Sequence, residues 1–185
     1  MTLPPADEPE DRELVARWQK GDERAASRLV ERHAGSVGRF VASLGEREAA
    51  QELLQDTFVR AFGALETWRG ESSFRSWLFT IARRLVLDRR RSVRRARETT
   101  SLDDDGAMDV AGGDDVLGGV IAAESAVRLR AAVATLTPTQ REVFLLRVVE
   151  GLSYREIAGV AATTEGAARV HYHNALRAVR DHLDA

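Results

Sequence analysis

The feature that most constrains this chain is a change of character at Glu98. From Glu98 to Gly119 it carries seven carboxylates (Glu98, Asp103, Asp104, Asp105, Asp109, Asp114, Asp115), no cation and no apolar periodicity. Just before this stretch, Arg83 to Arg97 holds eight arginines and one acid, Asp88. A segment of like charges rich in Asp and Gly cannot bury enough apolar surface to order itself. It therefore reads as a flexible linker and divides the chain into two folding blocks. The net charge of −2 conceals this segregation, which says more about partners than the sum does.

Both blocks read as helix. In the first, Leu14, Val15, Trp18, Ala25, Leu29, Val30, Val37, Phe40, Val41 and Leu44 recur at helical spacing, with turns at Gly21-Asp22 and Gly45. A further helix runs through Ala49, Leu53, Leu54, Phe58, Ala61, Phe62 and Leu65, and another from Phe74 to about Arg95. No alternating strand pattern and no repeat stands out. The chain is thus expected to be all-α: two small helical domains joined by a flexible acidic linker. The bounds read as a disordered tail at 1–10, a first domain at 11–97, a linker at 98–121 and a second domain at 122–185.

The second block carries the sharper local signal. Thr137-Pro-Thr-Gln140 and Ser153-Tyr-Arg-Glu156 are capping boxes, the first with proline at the opening helical position. Gly151 ends the helix between them, and Thr164 caps a last, longer helix. Two short helices, a tight turn and a cationic second helix fit a helix-turn-helix. On that last helix Ala168, Tyr172, Ala175, Leu176, Val179 and Leu183 trace an apolar face. Arg169, Val170, His173, Asn174 and Arg177 lie opposite, where Arg, His and Asn can donate to base edges in a major groove.

Several function classes fall away. The chain has no cysteine, so it has no disulfide framework, thiolate metal site or cysteine nucleophile. His171 and His173 stand two apart on a helix and point to nearly opposite sides, which is wrong for a shared metal. The triplet Asp103-Asp104-Asp105 has no histidine or phosphate loop beside it. No catalytic residue, metal site or cofactor is expected, and the chain reads as a non-enzyme. No run of 18 or more apolar residues occurs and no signal peptide opens it, so it is expected to be cytoplasmic, without direct membrane insertion. The stretch Trp68–Arg84 remains to be explained. It packs two tryptophans, two phenylalanines and four arginines into seventeen residues across a loop and a basic helix. Rings beside cations suit unstacked bases and their phosphates.

Three stretches taken in order, "LLQDTFVRAF", "WRGESSFRSWLFTIARRLVLDRRR" and "GLSYREIAGVA…EGAARVHYHNALRAVR", with the acidic segment between the last two, resemble the extracytoplasmic-function (ECF) sigma factors of bacterial RNA polymerase. The resemblance spans about Arg12 to Leu183. It implies a transcription initiation factor that binds core RNA polymerase and directs it to −35 and −10 promoter elements. On this reading Trp68, Arg69, Ser72, Ser73 and Trp77 would capture a flipped base of the single-stranded −10 non-template strand, with Phe79 bordering that site. Arg83, Arg84, Arg89 and Arg90 would hold phosphates. Thr164, Arg169, Val170, His173, Asn174 and Arg177 would read the duplex −35 element. Gln51, Glu52, Gln55, Asp56 and Arg60 would contact polymerase, and Leu54, Phe58 and Phe62 would go to the core. An anti-sigma protein is a further implied partner.

The alternative reading, a stand-alone helix-turn-helix regulator, accounts for the second block and leaves Trp68–Arg84 unexplained. One departure from the family pattern concerns the helix-turn-helix turn. Glycine is frequent there, and this chain has Ala162, for which a positive φ is costly. The spacing of the two blocks fits a promoter. Elements 16–18 base pairs apart are about 55–60 Å apart at 3.4 Å per pair, and 22 residues reach at most roughly 75 Å. The linker carboxylates are expected either to stand in for RNA phosphates in a positively charged channel, to mask Arg83–Arg97, or to serve as a plain spacer.

Overall fold

The computed structural model describes residues 8–100 and 120–184. Within them the elements are α1 (Glu8–Gln19), α2 (Glu23–Ser43), α3 (Ala50–Gly63), a 3₁₀ turn (Leu65–Thr67), α4 (Phe74–Thr100), α5 (Val120–Ala134), α6 (Pro138–Val148), α7 (Tyr154–Ala161) and α8 (Glu165–Leu183). The all-α expectation holds. The helices run a few residues past the three expected bounds: α1 begins inside the expected tail, and α4 and α5 extend into the two ends of the expected linker. The readings placed on the aspartates between Asp103 and Asp115 lie outside the described residues.

Helices α1–α4 form the first unit. Asp22 caps α2 by accepting from the Arg24 amide (3.0 Å), and Arg17 holds that carboxylate at 2.7 Å. Along α2 the apolar stripe Ala25, Leu29, Val37, Phe40 and Val41 is buried, as its 3.6-residue spacing requires. Asp11 of α1 is buried too, and it is paid for locally: Arg32 Nε donates to it at 3.0 Å and His33 Nε2 lies 2.9 Å away. A buried carboxylate without such partners would cost several kcal/mol, so this pair fixes α1 on α2.

Helices α5–α8 form the second unit. Both capping boxes are present, at Thr137/Gln140 and Ser153/Glu156, and Thr164 accepts from the Ala167 amide at 3.1 Å. Arg141 donates to the carbonyls of Val133, Ala134 and Leu136, and so closes the C-terminal end of α5. Ala162 takes the left-handed turn conformation, φ 51° and ψ 50°, where glycine was the family expectation. It is the one non-glycine residue with positive φ among the described residues.

The two units dock on one another. Helix α7 packs on α4, and α6 packs on α2. Leu146, Leu152, Ile157 and Val160 join the same apolar cluster as Leu29, Phe79 and Val86. Three carboxylates of the second unit cross the seam. Arg83 Nε donates to Glu142 Oε1 at 2.6 Å, Arg75 Nη2 lies 3.2 Å from Glu150 Oε2, and the Ser73 hydroxyl donates to Glu156 Oε1 at 2.5 Å. The other oxygen of Glu156 accepts from the amide and hydroxyl of Ser153. A capping residue thus also ties the two units together.

Two expected outcomes follow from this architecture. An L-residue in the left-handed region costs about 1–2 kcal/mol, against roughly 0.5–1 kcal/mol for glycine's extra unfolded entropy. Ala162→Gly should therefore raise the free energy of unfolding by about 0.5–1 kcal/mol, read from the urea midpoint. The second outcome concerns pH. Burial pushes the Glu142 carboxyl up, and the charge and hydrogen bond of Arg83 only partly reverse this. At Glu156 burial also pushes up, but the hydrogen bonds from Ser73 and Ser153, with the charge of Arg75, outweigh it and leave the carboxyl below its ordinary 4.5. A raised carboxyl takes up a proton on folding and adds stability as pH falls through its folded value. A lowered one contributes stability above its unfolded value, and loses it as pH falls through the folded one. Urea unfolding across pH should show Glu142→Gln removing a stabilising gain on acidification from neutral pH. Glu156→Gln should make the acid loss below about pH 4.5 shallower.

Candidate nucleic-acid and polymerase interface

The loop that precedes α4 is folded on itself. Gly70 has φ 71°, a conformation open to glycine, and Arg12 Nη2 donates to its carbonyl at 3.2 Å. The Trp68 indole donates to the Ser72 carbonyl at 3.2 Å and meets Phe74 edge-on, with centroids 5.6 Å apart. Trp68, Ser72 and Trp77 are half-buried, and Arg69 is exposed. Phe74 is wholly buried, and so is Phe79, which packs against Phe40 at 4.9 Å. Phe79 therefore cannot border a base site as the resemblance implied. It is a core residue, and the Arg75 guanidinium lies over its ring at 5.7 Å.

The four α4 arginines that the resemblance assigned to phosphates fall into three groups. Arg83 is bound across the seam to Glu142. Arg89 and Arg90 are held within the first unit: Arg90 Nε lies 3.1 Å from Glu46, while Arg89 lies 3.4 Å from Glu46 and 3.1 Å from Glu52. Arg84 is exposed, without an ion pair among the described residues. Ser73 is 5% exposed and spent on Glu156. In this arrangement Arg69, Arg84 and the half-buried rings are reachable, whereas Ser73 and Arg83 are covered by the second unit.

On α3, Gln51, Gln55 and Val59 follow each other at i, i+4, i+8 beside a groove shared with α2. The groove is about 390 Å³ and is lined also by Val30, Ala34, Leu54, Phe58 and Phe62. Leu54 and Phe62 are half-buried there rather than fully in the core, and Val59 is 64% exposed. Glu52, Asp56 and Arg60 form the next exposed row. A polar row beside an apolar groove suits a docked helix.

On α8, Ala168, Ala175 and Val179 are buried. Arg169, Val170, His173, Asn174 and Arg177 are all exposed on the opposite side, as their spacing requires. Val170 is 58% exposed. Thr164 is exposed with its hydroxyl committed to the cap. No group of three or more His, Asp or Glu that could hold a metal occurs among the described residues, and no described helix is long and apolar enough to cross a membrane.

Five contact residues escaped the sequence reading: Arg75, Glu142 and Glu150 at the seam, and Arg147 and Tyr154 where α6 meets α7. The only local signal was for Glu150, which interrupts the apolar run Val148-Val149-Glu150-Gly151-Leu152.

Comparison with known proteins agrees with this layout. Residues 28–96 match the Sigma-70 region 2 family and residues 126–179 match Sigma-70, region 4. The chain is 36% identical over 169 residues to the ECF RNA polymerase sigma factor SigC of Mycobacterium tuberculosis, covering 91% of this chain and 89% of that one. It is 29% identical over 177 residues to the ECF RNA polymerase sigma-E factor of Escherichia coli, covering 91% and 92%. Among solved structures, CnrH in complex with the cytosolic domain of CnrY superposes with a TM-score of 0.66 at 27% identity, over 94% of this chain and 97% of that one. The sigma factor RpoE of Bartonella quintana, solved with the anti-sigma factor NepR, shares the fold with a TM-score of 0.70 at 23% identity, over 86% and 96%. Two separate region matches in order and a relative above 30% identity over 91% of the chain lead to one conclusion: this chain belongs to the ECF sigma-factor family of RNA polymerase.

Proposed function

We propose that the chain is a non-catalytic, cytoplasmic initiation factor whose two units divide promoter recognition between them. The observation that supports this is the presence in one chain of two different exposed faces suited to nucleic acid: the polar row of α8, and the ring-and-arginine surface at the start of α4. A stand-alone regulator has use for the first alone. The first unit, residues 11–97, docks polymerase through Gln51, Glu52, Gln55, Asp56 and Arg60 around the α2–α3 groove. The same unit takes the −10 strand at Trp68, Arg69, Ser72 and Trp77, with Arg84 at the phosphates. The second unit, residues 122–185, reads the −35 duplex with Arg169, Val170, His173, Asn174 and Arg177.

Ser73 and Arg83 belong to the −10 surface on this reading, yet Glu156 and Glu142 hold them. Promoter engagement therefore requires α6 and α7 to leave α4. Arg89 and Arg90 must likewise exchange Glu46 and Glu52 for phosphate. The exposed Arg89–Glu52 pair is worth about 0–1 kcal/mol, so that exchange is cheap; the Arg90–Glu46 pair is partly buried and holds more firmly. An anti-sigma protein is a further partner of this reading, in line with the NepR complex of the Bartonella quintana relative.

Stacking of an unpaired base on a ring contributes about 1–3 kcal/mol, and about 1.4 kcal/mol is tenfold. Trp68→Ala and Arg69→Ala should leave assembly with core polymerase intact and lower the open complex about tenfold or more, seen as permanganate reactivity of −10 thymines. Asp56→Ala and Arg60→Ala should do the reverse, weakening assembly while opening per assembled complex stays normal. Wild-type thymine reactivity in both loop variants would remove the loop from the −10 site.

A further inference from the structure

Arg169 is held by more than its own helix. Its guanidinium carbon lies 4.8 Å from the centroid of the Tyr154 ring, and that of Arg147 lies 4.9 Å from the same centroid. Tyr154 is the first residue of α7, set by the Ser153 cap. Its ring also meets Tyr172 of α8 edge-on at 5.9 Å. Arg147, from the end of α6, is itself anchored, because its Nη1 donates to the Leu152 carbonyl at 2.7 Å. Arg147 from α6 and Arg169 and Tyr172 from α8 therefore converge on a single ring of α7.

This matters for recognition because of how arginine binds. A guanidinium on a ring uses its flat face, and its N–H donors stay in the plane and remain available. Glu165 takes one of them, at 2.8 Å. The side chain of Arg169 is still 53% exposed, so the remaining donors reach outward from the early turns of α8. A free arginine loses much rotamer freedom when it pairs with a base edge. Arg169 has already lost part of that freedom to the ring.

We propose that Tyr154 is a positioning residue for promoter reading: its ring presets the guanidinium of Arg169 for one base pair of the −35 element, with Arg147 steadying the ring from α6. This rests on the reading of α8 as the −35 face, and it adds a residue from the preceding helix that touches no base itself. Arg169 supplies the contact; Tyr154 supplies its orientation. The hydroxyl of Tyr154 has no part in this, so phenylalanine should serve as well as tyrosine.

The test uses the full chain with core polymerase on a set of promoters carrying every single-base change in the −35 element. Arg169→Ala should abolish discrimination at one base pair, by tenfold or more, in keeping with about 1–3 kcal/mol for a good base contact. Tyr154→Leu should reduce discrimination at that same base pair about three- to tenfold and leave other positions unchanged. Tyr154→Phe should behave as wild type. The double variant Tyr154→Leu/Arg169→Ala should discriminate no worse there than Arg169→Ala alone. Should leucine unfold the second unit, as urea unfolding would show, Tyr154→Met keeps the bulk without the ring face and takes its place. A loss spread evenly over all base pairs for the Tyr154 variants, with Arg169→Ala still specific, makes Tyr154 a packing residue and overturns the proposal alone. An even loss for Arg169→Ala itself overturns both the base-reading role of Arg169 and the positioning role built on it.

Discussion

The arrangement of this chain hangs on the pair between Arg83 and Glu142. Glu142 is 7% exposed, and an isolated carboxylate at such depth costs several kcal/mol to desolvate. The two arginines of α6 are engaged elsewhere, Arg141 with the carbonyls at the end of α5 and Arg147 with that of Leu152; the guanidinium that compensates Glu142 comes from α4, fifty-nine residues away in sequence. The second unit can therefore keep this face dry only while it sits on the first. Glu150 repeats the pattern with Arg75, and Glu156 with Ser73. The apolar residues Leu146, Leu152, Ile157 and Val160 supply the drive to pack, because each buried aliphatic side chain is worth about 1.5–3 kcal/mol. The charged pairs fix the register, since a slip would leave an ion without its partner.

The same chemistry makes the seam exchangeable. Arg83 needs an anion, and a phosphate serves as well as a carboxylate. Ser73 needs an acceptor, and a phosphate or a base offers one. Glu142 and Glu150, once released, return to water. The seam is also incomplete: Arg75 Nε is buried without a hydrogen-bond partner, a cost of about 1–3 kcal/mol for a buried donor. The polar contacts of the seam are of the kind that exchange during function, but Leu146, Leu152, Ile157 and Val160 share the seam with them, so parting the units requires that this apolar surface be covered by a partner.

Much of this was legible in the sequence, for local reasons. Thr137/Gln140 and Ser153/Glu156 are three residues apart, so a capping box declares itself, and both are present. The buried face of α8 and its open opposite face follow from the 3.6-residue period, and Arg169, Val170, His173, Asn174 and Arg177 lie where that period puts them. Ala162 shows the limit of local rules. Its own preference argues against a positive φ, and the packing of α7 and α8 on either side overrides it. What stayed hidden was long-range. Ser73 and Glu156 are eighty-three residues apart, and Glu156 was already accounted for as a cap. Phe79 was placed beside the base site by the resemblance alone, yet its side chain is buried against Phe40. Tyr154 passed as an ordinary first-turn residue, because two arginines converge on it only once three helices are assembled.

The central claim is that the −10 and −35 surfaces sit on units that are docked in the free chain and parted on a promoter. The chain has no cysteine, so a single pair can be introduced for dyes. Arg24→Cys on α2 and Asp181→Cys on α8 place one label on each unit, both at exposed positions away from the seam. Energy transfer between them should show one short distance in the free protein. On a promoter with core polymerase the distance should lengthen markedly, as promoter elements about 55–60 Å apart require. An unchanged distance on the promoter would mean that Ser73 and Arg83 never leave Glu156 and Glu142, and would contradict the account.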